Sequence, residues 1–324
     1  MKRLVAAILL AALPAASGVY LVLLKGASAL SFVSAEGKVE ATIPVGQHPH
    51  EMAFSPDRKL LYTTDNGTMR IEHAGSGGNT VSIIDLATRK KIGEIALGQY
   101  RRPHGIDVDP STGMIAVSTE LPDQLLILDP NKRAVVKHFD TKGKTSHMVK
   151  FGPGAKWAYV SNAGSGNVSA INLSNGEVKL IETGERPEGS VLARDGKELY
   201  VCNREGASIT VIDTSTNSAV ARIATGKGPV RVTITPDGGT LVYALMHEKK
   251  VAFANPRTRQ QTDYVLVPAE LVSCNLSQDG SVAFASGETT DNVYMVSLKT
   301  KKIVGELKLT KDSGPDPVFE APSK

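Results

Sequence analysis

Apolar and polar residues along this chain alternate in short runs separated by polar turns, the period-two pattern of half-buried β-strands. Residues 184–224, GERPEGSVLARDGKELYVCNREGASITVIDTSTNSAVARIA, hold one complete unit of that pattern. It opens on Gly-x-x-Pro, crosses an apolar segment to an Asp-Gly turn, and continues as Leu-Tyr-Val-x-Asn. A Gly-containing polar loop follows, then an alternating run ending in Asp, a second polar turn and a last alternating run. Four strands are predicted here, over residues 189–192, 199–203, 209–212 and 219–223.

The unit recurs through the chain. Asp195, Asp237 and Asp279 mark the same turn at spacings of 42 residues. Third strands end at Asp85, Asp129, Asn172, Asp213, Asn255 and Ser297, spaced by 44, 43, 41, 42 and 42 residues. Asp or Asn at this position can accept a hydrogen bond from the backbone two residues on, which starts the next turn. A period of this size with four strands per unit reads as the blades of a β-propeller. Six complete units span residues 45–309, and residues 20–33 and 38–43 match strands two, three and four of a further unit. Residues 314–322 supply its first strand, so the two chain ends share a seventh blade and close the ring. The expected fold is therefore all-β, a seven-bladed β-propeller of four-stranded antiparallel blades, forming a single domain over residues 18–324.

Residues 61–66 (LYTTDN), 158–162 (AYVSN) and 199–203 (LYVCN) resemble the second-strand signature of the YVTN-type propellers, as do the VIDT turn at residues 211–214 and the Pro-Asp turns at Pro56-Asp57 and Pro236-Asp237. The resemblance covers residues 19–322 and implies the fold; it does not assign an activity. Blades five and six depart from it, with Val-Tyr-Ala-Leu at 242–245 and Ala-Phe-Ala-Ser at 283–286.

Ahead of the repeats, residues 1–17 have a basic start, an apolar run and the small residues Ala15, Ala16 and Ser17, the layout of a cleaved signal peptide. Export to the periplasm or the outside of the cell is expected. The uncharged stretch 4–24 also reads as an uncleaved anchor, but Pro14, Ser17 and Gly18 interrupt it and the repeat claims residues 20–24 as a strand. A cut after Ala29 would delete that strand. With the leader removed no stable membrane span is expected, and the chain reads as a monomer.

Aromatic residues make up 5% of the chain, so aliphatic side chains must fill the space between blades. The net charge of +4, from 37 basic and 33 acidic residues, is too mild to argue for nucleic acid, and no basic cluster carries interleaved aromatics. Cys202 and Cys274 fall two blades apart, beyond disulfide reach, and read as buried hydrophobes. The chain contains no HExxH, CxxC, P-loop or GxSxG motif.

First strands line a propeller's axis, and their starts converge on one face. The residue after the opening proline, or its equivalent, is His50, His104, His147, Glu188, Val230, Val272 and Asp316 in successive units. Three of the chain's seven histidines and two carboxylates thus share one repeat position. Glu120, just past a second strand, and Arg204 and His247 in corresponding loops belong to the same face. His50, His104, His147, Glu120, Glu188 and Asp316 suit a divalent or transition metal ion, and the same imidazoles could act as general bases near neutral pH. Histidine after proline is also explained as a repeat habit, with its nitrogens satisfied by loop carbonyls. Arg102, Arg204, Arg231 and His247 are the candidates for meeting a substrate. Blade one carries about a dozen extra residues within 66–80, where Arg70, Glu72 and His73 could form a lid or supply ligands; the same insert also reads as a plain surface loop.

Residues 103–106, Pro-His-Gly-Ile, with Glu120 beyond, are similar to blades of the streptogramin B lyases. That resemblance implies His104 as base and Glu120 as a Mg²⁺ ligand, but it covers one blade, and the family's Leu-Trp-Phe-Thr strands are absent. The functional expectation is a small-molecule site with a divalent metal in a His/carboxylate funnel. As an enzyme it would be a lyase or an ester- or lactone-acting hydrolase, with His104 or His147 as base. The alternatives are a non-catalytic module that docks a protein or a surface polymer, and a redox protein with copper at the histidines.

Overall fold

A computed structural model describes residues 18–322. They form seven four-stranded antiparallel sheets. Blades one to six each use four consecutive strands, and in blade four these are Pro187–Leu192, Glu198–Asn203, Ser208–Asp213 and Ser218–Ala224, within two residues of the sequence expectation. The seventh sheet pairs Pro315–Glu320 with Val19–Leu24, followed by Ala29–Ser34 and Val39–Pro44. Tyr20 faces Glu320 and Val22 faces Val318, with a bulge before Leu24 meets Pro315. The ring is closed by the predicted exchange of chain ends. Because Val19–Leu24 is paired on both edges, a chain cut after Ala29 would lose an interior strand. The leader reading falls on residues 1–17, outside the described residues; of the anchor reading over 4–24 only the last part is described, and there Val19–Leu24 is a strand. Among the described residues no helix is long and apolar enough to cross a membrane.

The core lies between blades rather than along the axis. Blades one and two, for example, enclose Val81, Ile83, Ile95, Ile106, Ile115, Val117 and Leu126, as the scarcity of aromatics demands. The two cysteines are buried and free. Third-strand ends start the turns as expected: Asp129, Asn172, Asp213 and Asn255 accept the amide two residues on at 2.8–3.0 Å.

The Gly-x-x-Pro motif and the Asn that ends strand two turn out to be one device. Asn162 and Asn203 are buried and donate to Ser169 and Thr210 on strand three at 2.7 and 2.9 Å. In blades one, three and four the opening glycine packs on the side chain that ends strand two. A Cβ on Gly46 would lie 2.1 Å from the Asp65 carboxyl carbon, and one on Gly143 would lie 2.1 Å from the Asn162 amide carbon. Just before the innermost strand the chain turns sharply, with positive φ at His48, Arg102, Thr145 and Arg186. The next residue but one then projects at the axis. A buried polar clamp thus recurs in blades one, three and four and helps aim His50, His147 and Glu188 at the same mouth.

Candidate functional site

The seven residues of that repeat position, His50, His104, His147, Glu188, Val230, Val272 and Asp316, all line one axial cavity of about 70 Å³. Their common phase was legible in the sequence. A second repeat position, the residue after strand two, adds Lys25, Arg204, Met246 and Glu288 to the wall. Of the predicted substrate-contacting residues, Arg204 and Arg231 line the cavity. Arg102 and Glu120 lie behind it. His247 stands outside, 41% exposed and 4.0 Å from Glu205, and Met246 occupies the wall in its place.

The imidazoles form a contiguous row, His50 edge-on to His104 with ring centroids 4.4 Å apart and His104 tilted against His147 at 3.7 Å. A hydrogen-bonded chain runs through the first two. Thr68 O meets His50 Nε2 at 2.7 Å, His50 Nδ1 meets His104 Nε2 at 3.2 Å, and His104 Nδ1 meets Glu120 Oε1 at 2.8 Å. A carbonyl only accepts, so His50 donates from Nε2. The three bonds then need three protons, one more than two neutral rings carry. Burial, with Lys25 and His104 nearby, holds the His50 pKa well below its ordinary value. Both nitrogens of His104 are engaged, which removes it as a free base.

His147 differs. Its Nδ1 is buried without a hydrogen-bond partner, and burial together with His104 and Arg231 keeps the ring neutral far below the usual imidazole range. Asp316 has one oxygen 2.8 Å from Lys25 Nζ, while Oδ1 is buried and unpartnered. Burial raises the Asp316 pKa against the pull of Lys25 and Arg231. Lys25 also meets Glu288 at 2.7 Å, and although burial opposes its charge, the two carboxylates raise its pKa.

Each predicted metal-ligating carboxylate is held by a cation. Glu120 sits 2.8 Å from Arg102 Nε, and Glu188 Oε1 receives Arg186 Nε at 3.0 Å and Arg204 Nη1 at 3.1 Å. Among the described residues no group of three His, Cys, Asp or Glu is arranged to hold a metal ion. Sequence reasoning passed over Lys25, Arg186 and Glu288. Arg186 shared a signal with Arg102, each preceding the opening proline of its unit.

Blade one's extra residues fold over the mouth. Met69, Arg70, Ile71 and Glu72 line the cavity, and Arg70 reaches Glu288 at 3.4 Å. Arg102 fastens the segment from below, donating to the carbonyls of Ile71 at 2.8 Å and His73 at 3.1 Å.

No protein-family model and no curated protein sequence matches this chain. Solved structures do. A functionally unknown protein from Desulfotomaculum acetoxidans DSM 771 is 16% identical with a TM-score of 0.78, covering 94% of this chain and 99% of that one. Kuenenia stuttgartiensis hydrazine synthase is 18% identical with a TM-score of 0.65, over 78% of this chain and 77% of that one. The dihydro-heme d1 dehydrogenase NirN in complex with DHE is 16% identical with a TM-score of 0.66; the match covers 91% of this chain but 64% of that protein. At such identities the likeness is one of fold, and the chain stands as a seven-bladed β-propeller whose YVTN-type repeat rests on the sequence resemblance alone.

Proposed function

We propose that the axial cavity binds a small, hydroxyl-bearing organic molecule, and that the chain serves as an exported ligand-binding propeller. One observation carries this reading: His147 Nδ1 and Asp316 Oδ1, in one cavity, are buried without a protein partner. Buried polar atoms nearly always have partners, so two such atoms on residues that line one cavity call for an occupant. A hydroxyl donates to the carboxylate and can donate to or accept from the imidazole. Thermal-shift and calorimetric titration with polyols and hydroxy acids tests the reading. Binding that is lost in both His147→Ala and Asp316→Asn is expected. No binding to the wild-type protein would assign the two atoms to ordered water.

A metal remains the second reading, because an unpartnered imidazole nitrogen is also a metal ligand. His147 Nδ1 and Asp316 Oδ1 are fewer donors than the three or four protein ligands of a typical site. Lys25 and Arg231 in the same wall oppose a cation. Metal analysis of protein purified without an affinity tag, against the His50/His104/His147 triple alanine variant, separates the two; equal contents overturn the metal. A heme, suggested by the fold likeness to NirN, exceeds this cavity of about 70 Å³, since ligand pockets commonly run from about 300 Å³ upward. It would require residues 66–79 to move away. Catalysis on a lactone or ester would rest on His147, the imidazole with an open nitrogen, and turnover of such substrates by the wild-type but not the His147→Ala protein is its test. N-terminal sequencing of protein recovered from cell fractions tests export.

A further inference from the structure

The axial cavity has a neighbour. A second chamber of about 170 Å³ is lined by Ile71, Glu72, Thr145, Ala163, Gly164 and Arg186. Ile71, Glu72 and Arg186 line both spaces, so the Glu72–Arg186 ion pair is the partition between them. The two sides of that pair are built differently. Arg186 and Arg204 belong to blade four and are gripped from inside by the single Glu188 oxygen at 3.0 and 3.1 Å. Their outer nitrogens face Glu72 Oε1, which contacts Arg186 and lies 3.8 Å from Arg204.

Glu72 comes from the insert that interrupts the repeat, and its side chain is 52% exposed against 22% and 18% for the two arginines. A half-exposed ion pair is weak and exchanges readily. Paired guanidinium forks are the usual receptor for a carboxylate. We infer that Arg186 and Arg204 form a carboxylate subsite, that Glu72 fills it in the free protein, and that the ligand is a hydroxy acid whose carboxylate displaces Glu72. Displacement joins the two chambers. The ligand's hydroxyl side then lies toward His147 and Asp316, and its remaining carbons rest on Thr145, Ala163 and Gly164. This rests on the small-molecule reading above and adds the carboxylate to it.

Gluconate and sorbitol, which share a polyol chain and differ in the terminal carboxylate, are the probes. Calorimetry is run on the wild-type protein, Glu72→Gln and Arg204→Gln. Glu72→Gln is expected to bind gluconate at least tenfold tighter than wild type and to raise the preference for gluconate over sorbitol. Arg204→Gln is expected to lose the preference for gluconate over sorbitol while retaining its far-UV circular dichroism. Equal gluconate affinity in wild type and Glu72→Gln would overturn the displaced-carboxylate inference and leave the cavity reading standing. Binding of neither probe to any of the three proteins would overturn both.

Discussion

Arg231 on the innermost strand of blade five reaches across the ring axis to Glu51 on the innermost strand of blade one, 180 residues away in sequence. The side chains are 12% and 10% exposed; burial opposes the charge of Arg231, but Glu51, Asp316 and Glu188 together raise its pKa. Removing one partner of such a pair strands the other's charge, which is worse than removing both. Glu51→Ala should cost about 3–5 kcal/mol in urea unfolding. The double variant Glu51→Ala/Arg231→Met should recover most of that loss. An unchanged midpoint in the single variant would mean that water reaches the pair.

Acid sensitivity should trace to the clustered imidazoles. The folded pKa values of His50 and His147 lie well below 6.5, whereas unfolded histidines titrate near 6.5. Below that value the unfolded chain binds more protons than the folded one, so stability falls as pH drops and is level above it. Asp316 works in the opposite sense. Its folded pKa is raised above 3.8, so its contribution is full below 3.8 and declines as pH rises toward the folded value. Urea midpoints measured between pH 4.5 and pH 8 should decline on the acid side for the wild-type protein, a range chosen to bracket the ordinary histidine value. The slope should be shallower for His147→Gln.

The glycine clamp predicts a local packing penalty. An added methyl at Gly143 meets the Asn162 amide at 2.1 Å, and Asn162 is itself fixed by bonds to Asn167 and Ser169 at 2.9 and 2.7 Å. Gly143→Ala should therefore destabilise the fold by about 1–3 kcal/mol, the usual range for overpacking. Denaturant titration reads this directly, and a wild-type midpoint would show that the clamp yields.

Ring closure depends on one strand near the end of the chain. Val318 is fully buried, packed with Val22, Phe284 and Val293, and it faces Val22 across the seam. Val318→Asp should release Pro315–Glu320 and expose the edge of Val19–Leu24, an invitation to intermolecular pairing. Size-exclusion chromatography should then show oligomers, and limited proteolysis should cut near residue 314.

The repeat was legible because several units state it independently. Gly-x-x-Pro, the Asp turns and the Asn at the end of strand two are local signals, and their phase of about 42 residues assigns His50, His104, His147, Glu188 and Asp316 to one wall. His247 shows the limit of such phasing. Its loop was located correctly, but a left-handed turn at Lys249 closes a short 3-10 turn there, and Met246 is buried where His247 is not.

By itself the chain's periodicity determined the all-β ring, its seven blades, the seam between its ends and the identity of the residues around the axis, since each follows from hydrophobic alternation and turn chemistry within about forty residues. Only the tertiary structure decided how those residues are used. Lys25 lies between Asp316 and Glu288, Arg102 takes Glu120, and the insert carries Glu72 onto Arg186. Lys25–Glu288 joins two blades, Lys25–Asp316 joins the two chain ends within the closing blade, Glu72–Arg186 joins an irregular loop to blade four, and Arg102–Glu120 joins two strands of blade two. Their partners are set by which side chains meet once the ring has closed, a relation between distant segments that no local pattern encodes.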